Sequence, residues 1–445
     1  MAPRRGSERR PALPWLLLLL CVGASGRASE VDLAVQTVGQ GYDVLAADGE
    51  LLLRRRLSHW IVLDASRLFE SERLSFSLDF RLDADLEDSV GAHGGRQALL
   101  TRAELRVEAV PERLRFRVGR LWEFSELGFF RFDGVHIEGR PLFRLPLELY
   151  MGFAVRDRSI LGDMELALPG SEDETLCPVV GARLSWTTAH HRVEVDYRRL
   201  AAWQDGWPLQ EERLAAAGAL RLFEGKLGLD AGAAYNLLLD GFDRLRADAF
   251  VGFPVASARW RLELGALYLR PFFSQDSIFN FFSPEPFAEA HGGTSLSWAD
   301  GKTARLRLRQ RWYLNVTPSA YPPTTTGIEA EGGLPTGRSG MLSAYVTYED
   351  GAAGRRYLVM ATWRVSPGES WLIEGRALLS SFSDPVQPHQ SALGGGGGLG
   401  TTWIFGPGRA LHLLLEANGN RLLPFASRLL LVLDLVFHFQ GGPRA

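Results

Sequence analysis

The chain has 445 residues, a net charge of −3 and only two cysteines. That length suits two or three soluble domains or one large closed sheet. The acidic balance argues against a nucleic-acid partner, and two cysteines exclude a disulfide-stapled scaffold.

At the N-terminus Arg4, Arg5, Arg9 and Arg10 precede an apolar run from Leu13 to Val22, and Gly23, Ala24, Ser25, Gly26 and Ala28 follow. This is the layout of a secretory signal peptide over residues 1–28, with an apolar run too short to span a membrane as a mature helix. Cleavage after Ala24, Gly26 or Ala28 fits equally. Leu20 stands before Cys21 where lipidation favours a small residue. Removing residues 1–28 takes away five arginines and one glutamate and leaves a net charge of −7. Cys177 is then the single cysteine, so no internal disulfide is expected. No later stretch has 18 consecutive apolar residues, so the exported chain reads as soluble or as a membrane β-barrel.

Residues 29–56 mix polar and apolar side chains with Gly39, Gly41 and Gly49. They read as a periplasmic lead-in or a segment plugging a lumen, with a barrel over 57–440 and a tail at 441–445. Trp60 to Leu63 gives a short first strand. From Arg73 to Asp83 the alternation is clean: Leu74, Phe76, Leu78, Phe80 and Leu82 share one face, and Ser75, Ser77, Asp79, Arg81 and Asp83 share the other. Arg102, Glu104, Arg106 and Glu108 oppose Ala103, Leu105, Val107 and Ala109. After Pro111-Glu112, Arg113, Arg115 and Arg117 alternate with Leu114, Phe116 and Val118, which makes a hairpin. The pattern recurs at 192–198, 244–249, 259–264, 303–313, 356–365 and 433–439, and further strands are expected near 145–155, 178–188, 213–223, 226–238, 292–299, 339–349, 369–381, 392–405 and 409–419. Short connections at 111–112, 189–190, 224–225, 256–257 and 299–302 alternate with long ones near 84–97, 156–177, 203–212, 272–291 and 315–338. The stretch 315–338, with Pro322, Pro323 and three threonines, reads as an exposed loop. Gly394 to Gly398 reads as a glycine-rich wall strand.

The expected fold is all-β: a closed antiparallel transmembrane β-barrel of about 18 strands, within 16–20. Strands of roughly 10–13 residues exceed the soluble mode and match a tilted transmembrane strand. So many long strands need closure to remove their edges. Trp122, Trp186, Trp203, Trp312, Tyr313 and Trp403 fall near strand ends, where interfacial aromatics gather. The expected partners are outer-membrane lipids, small hydrophilic solutes and the outer-membrane assembly machinery, with no nucleic acid and no cofactor.

If lipid covers the apolar face, Arg102, Arg106, Arg113, Arg115, Arg117, Arg305, Arg307, Arg309 and Arg311 line the pore. Two readings stay open. Basic ladders favour anions in pores, but Glu104, Glu108, Glu194 and Asp196 share the same face and would brace the wall through cross-strand ion pairs. Of 49 basic residues only Lys226 and Lys302 are lysine, so the choice of arginine carries little information. Phe279, Phe281, Phe282 and Phe287 mark a constriction loop or an apolar rim. Catalytic and metal-binding signatures are lacking: no H-x-x-x-H, C-x-x-C or G-x-S-x-G occurs. His190-His191 reads as a solvated turn, and Glu172, Asp173 and Glu174 as a solvated loop.

Val118-Gly119-Arg120, followed by Phe-Arg-Phe-Asp-Gly-Val at 130–135, resembles a segment of alginate-export-type porins, where Gly-Arg-Gln precedes Phe-Asp-Gly-Val; Leu121 stands in the place of that Gln. Arg54 to Leu57 followed by Arg73 to Asp83 is similar to the start of phosphate-selective porins. The resemblance implies a porin-like outer-membrane barrel; with the charged inner face, the expected function is passive passage of small hydrophilic solutes, with a preference for anions as one option. The competing classes are a structural or surface-binding barrel with an occluded lumen and, third, an outer-membrane lipid hydrolase.

Overall fold

The computed structural model describes residues 28–45, 49–69, 71–86, 96–140, 145–155, 177–202, 208–270, 286–314, 323–337, 339–351, 354–383, 391–421 and 424–440. These residues form 22 strands in one sheet. In chain order they are β1 (Ala28–Leu45), β2 (Leu51–Leu68), β3 (Leu74–Asp85), β4 (Arg96–Val110), β5 (Leu114–Ser125), β6 (Gly128–Gly139), β7 (Leu147–Ala154) and β8 (Pro178–Thr187). Then come β9 (His191–Ala201), β10 (Leu209–Leu222), β11 (Leu227–Asn236), β12 (Gly241–Val255), β13 (Ala258–Leu269), β14 (Phe287–Trp298) and β15 (Thr303–Tyr313). The last seven are β16 (Thr324–Thr336), β17 (Gly340–Gly351), β18 (Arg355–Gly368), β19 (Trp371–Ser383), β20 (Ala392–Gly406), β21 (Arg409–Asn420) and β22 (Phe425–Gln440).

Each strand pairs antiparallel with the next, and β1 pairs with β22 from Glu30↔Gln440 to Leu45↔Phe425, which closes the barrel. The expected architecture holds, but the number of about 18 is wrong. Three strands lie where none was expected: β1, β6 and β16. The segment 29–56 is not a lead-in or plug; it forms β1 and the first part of β2 in the wall. The loop expected over 315–338 contains β16. Both segments are rich in glycine, which blurs the two-residue period that marks a strand. Residues 1–27 and 441–445, which carry most of the expected signal peptide and the tail, lie outside the described residues.

Along much of the wall the outward rows are apolar and exposed, as lipid requires, as with Leu262 and Leu264 on β13, Leu306 and Leu308 on β15, and Val359 on β18, whereas Val31, Leu63, Ala65 and Leu78 on β1–β3 form a buried cluster. Outward aromatics mark the two ends. Trp186, Trp371 and Trp403 stand near the short connections, with Trp371 and Trp403 stacked at 6.1 Å. Trp312, Tyr348, Tyr357 and Phe425 stand near the other end. The connections 256–257, 369–370 and 407–408 are two residues each, and all fall at one end. At the opposite end the intervals include 155–177 and 270–286. Two of these turns use left-handed backbone, at Ala256 with φ 51° and at Gly408 with φ 64°.

Candidate functional site

In a closed cylinder, side chains on strands that are not neighbours can meet only inside. Arg244 and Arg246 on β12 reach Glu126, in the turn between β5 and β6, with Nη2–Oε distances of 2.8 and 2.5 Å. These contacts fix the inner face, and the register carries it around the wall. It includes Arg305, Arg307, Arg309 and Arg311 on β15, opposite Glu331, Glu329, Gly327 and Thr325 of β16. Leu306, Leu308 and Trp312 face out.

The same contacts reveal an unexpected feature: the upper half of the β5–β6 hairpin leaves the wall and crosses the lumen. Pairing of β5 with β4 ends at Ala103↔Arg120, and pairing of β6 with β7 ends at Phe132↔Ala154. Residues 121–130 therefore have only each other as strand neighbours. Gly119, with φ 126°, sits at the bend; a Cβ there would lie 2.0 Å from the Ala103 carbonyl oxygen. Gly134 and Gly152 oppose each other across β6 and β7, and a Cβ on Gly134 would lie 2.1 Å from the Met151 carbonyl oxygen. These positions allow the backbones to close up where the hairpin turns inward.

Departure of the hairpin exposes the carbonyls of β4 on that edge. Side chains satisfy them instead: Arg120 Nη1 donates to Leu100 O at 2.9 Å and Trp122 Nε1 to Thr101 O at 2.5 Å. Arg120 also holds Asp133 through two bonds of 2.8 and 2.7 Å. One face of the hairpin packs Leu121 and Phe132 against Tyr150, Val179, Cys177 and Leu200 of the β7–β9 region. At the tip Leu127 is buried against Ala215 of β10 and Ala234 of β11, two small residues that leave room for it. Leu127 O accepts from Arg198 at 3.3 Å and from Arg213 at 3.4 Å, and Glu126 O accepts from Arg244.

Beneath the hairpin lies a continuous ion-pair network. Glu104 takes Arg102, Arg106 and Arg117 at 2.9, 3.1 and 3.0 Å. Arg117 continues to Glu123 at 3.0 Å and Glu138 at 3.6 Å. Arg183 meets Glu148 at 2.9 Å and Asp196 at 2.7 Å. His136 sits between Glu123, at 2.9 Å, and Glu148, at 3.4 Å. Glu123, His136 and Glu148 thus bring three potential ligand atoms within 4.8 Å of one another. The Arg117 guanidinium, 2.8 Å from His136 Nδ1, and Arg183 on Glu148 already supply the positive charge that a metal would bring. The chemistry is that of a buried brace, which holds its geometry only while both signs are present.

The β15 ladder is braced in the same way. Arg305 pairs with Glu263 of β13 at 2.7 Å, Arg311 with Glu289 of β14 at 2.8 Å, and Arg309 with Glu329 at 3.1 Å and with Glu349 of β17. Arg307 differs: its Nε is buried without a hydrogen-bond partner. Arg115 pairs with Glu138 at 2.9 Å, while Arg113 lies exposed in the turn between β4 and β5. Phe279, Phe281 and Phe282 lie outside the described residues. Phe287 belongs to β14, with its ring 4.3 Å from the Arg311 guanidinium carbon. The constriction found among the described residues is the β5–β6 hairpin. Its sequence signal is the run of charge at Arg120, Arg131 and Asp133, on positions that a lipid-facing strand would fill with apolar side chains.

No family model matches the chain, and no characterised protein matches it in sequence. Solved structures match in shape. The siderophore receptor PirA from Pseudomonas aeruginosa superposes with a TM-score of 0.55 at 12% identity, over 91% of this chain and 80% of that one. The outer membrane protein OpdK from the same species gives 0.44 at 10%, over 92% and 98%. A BenF-like porin from Pseudomonas fluorescens Pf-5 gives 0.45 at 8%, over 92% and 98%. The likeness to PirA shows the fold, a closed barrel of the outer-membrane type; the two weaker superpositions carry no argument. The alginate-export and phosphate-selective families are not shown.

Proposed function

We propose that the protein is an outer-membrane channel for small hydrophilic solutes, narrowed by the β5–β6 hairpin. The observation that carries this reading is a closed barrel whose inner face is lined by charge and crossed by one inward hairpin. Lipid outside and water inside account for both faces of strands such as β4 and β15. The hairpin tip rests on hydrogen bonds, ion pairs and one leucine, contacts that form and break on the timescale of loop motion. The paired state of the β15 ladder favours bracing over an anion path, because three of its four arginines already have carboxylate partners.

Planar-bilayer recording of the folded protein tests the channel. Discrete conductance steps are expected, and removal of hairpin residues 122–130 should enlarge them. Absence of steps in the full chain, with steps appearing in the hairpin deletion, would favour the occluded barrel. Silence in both would overturn the channel reading.

A further inference from the structure

Across the lumen from the hairpin base, the inner wall formed by β15–β21 holds a cavity of about 590 Å³, lined by Tyr345, Thr347, Ser380, Phe382, Gly394 and Asn420 among others. The volume falls in the range of small-molecule sites. We infer that this cavity is a binding subsite for an uncharged, hydroxyl-rich solute of the size of a mono- or disaccharide. The inference rests on the channel reading for access but concerns recognition.

The first argument is the shape of the wall. On β20 the inward positions are Gly394, Gly396, Gly398 and Gly400, opposite Asn420, Asn418, Glu416 and Leu414 of β21. Four successive inward positions lack a side chain; Asn418 crowds Gly396, and Glu416 and Arg376 crowd Gly398, while Gly394 borders the cavity. Such a run weakens a strand and is suited to close approach of a ligand or another backbone. Added methyls do not fit for free: a Cβ on Gly396 would lie 2.6 Å from Asn418 Cβ, and one on Gly394 3.1 Å from Asn420 Cβ. The missing side chain at Gly394 keeps this side of the cavity open and leaves the Asn420 side chain at its edge.

The second argument is charge. Two arginines and two glutamates border the cavity, and Arg309 is spent on both glutamates. Arg309 lies between Glu329, at 3.1 Å, and Glu349. Arg356 stands over Phe382 at 5.5 Å and opposite Glu349 in the register. At Arg309 an anion would have to displace Glu329 or Glu349, and at either glutamate a cation would have to displace Arg309. Neutral groups supply the remaining recognition. Thr347 Oγ1 is buried without a hydrogen-bond partner. Ser380, Tyr345 and Asn420 add hydroxyls and an amide, each able to donate and accept. Phe382 adds apolar surface for the C–H face of a sugar ring.

The test is calorimetric titration of the folded full chain in detergent with maltose, glycylglycine, gluconate and a polyethylene glycol of maltose's hydrodynamic radius. Saturable binding of maltose in the millimolar range, with the other three at least tenfold weaker, is expected. Thr347→Val with Ser380→Ala removes two hydroxyls without filling the cavity or touching the ion pairs. It should weaken maltose at least fivefold at unchanged thermal stability. Equal or tighter binding of glycylglycine or gluconate, no saturable maltose binding, or an unchanged affinity in the variant would each overturn the assignment. Because binding is read without conductance, failure of the channel reading and failure of the subsite are separable.

Discussion

Loosening the hairpin tip isolates the contribution of the constriction. In the double variant Glu126→Gln, Leu127→Ala the base of the hairpin keeps Gly119, the Arg117 network and the Leu121–Phe132 packing. Leu127 is 5% exposed. Truncating a buried leucine costs roughly 2–5 kcal/mol, and a contact with two alanines rather than a deep core takes the lower end, about 2 kcal/mol. Glu126 accepts from Arg244 at 2.8 Å and from Arg246 at 2.5 Å. Hydrogen bonds to a charged group contribute about 1.5–3 kcal/mol and neutral ones about 0.5–1.5 kcal/mol. Both arginine side chains are partly exposed, at 31% and 40%, so solvent screens the difference. About 1 kcal/mol for the amide substitution is then a fair allowance. The sum of about 3 kcal/mol raises the unlatched population on the order of a hundredfold. In single-channel records this should appear as upward conductance excursions that are rare in the parent and roughly a hundred times more frequent in the variant. An identical excursion rate, with a lowered unfolding temperature proving that the contacts were lost, would show that the tip does not lie on the ion path.

Four further outcomes follow from the geometry. Arg117→Met leaves Glu104, whose side chain is 2% exposed, short of one partner, and should destabilise by roughly 3–5 kcal/mol; an unchanged heat-induced mobility shift on gels would contradict the brace. Gly119→Ala meets the Ala103 carbonyl at 2.0 Å and should sharply reduce the folded yield. Gly128→Ala, with φ 95° but open space around it, should cost only about 1–2 kcal/mol; similar losses in both would remove the steric argument. Among single alanine variants of the β15 ladder, Arg309→Ala should lower the unfolding midpoint most and Arg307→Ala least, with the opposite order refuting the pairing. Leu308→Arg should destabilise by about 2–4 kcal/mol in vesicles, as expected for a lipid-facing midplane site. Thr347→Arg, on the inner face, should cost distinctly less; equal costs would reverse the assignment of faces.

The strands legible in the sequence are those with lipid on one side and water on the other. From Leu74 to Asp83 and from Thr303 to Tyr313, every second residue reports its surroundings. The strands that escaped reading break that rule for separate reasons. In β1, Gly39 and Gly41 face outward and Val38 faces inward, so the contrast between faces is weak. In β16, Gly327, Gly332, Gly333 and Pro335 imitate a loop. In β6, Arg131 and Asp133 occupy outward positions at the bend where the hairpin turns from the wall, and the sequence shows this only as broken alternation. Pairing was less accessible still. Arg305 meets Glu263 two strands away, and Arg309 meets Glu349 two strands away in the other direction. Such partners depend on register and curvature, which no local pattern encodes.

The seam between β1 and β22 sets the order in which the wall can be completed. Gln36 donates to Asp434 at 2.8 Å across 398 positions of sequence. Every other seam joins consecutive strands, so hairpins can zip as they emerge, each closing a short loop. The last seam must wait until nearly the whole chain has been delivered, and it carries the largest sequence separation of any pairing in the molecule. Until then β1 and the newest strand both present open edges, the form in which a sheet is most prone to join another copy. The arrival of residues 425–440 is therefore the step at which an unfinished ribbon becomes a sealed wall, and the first strand must stay unpaired on one edge until then.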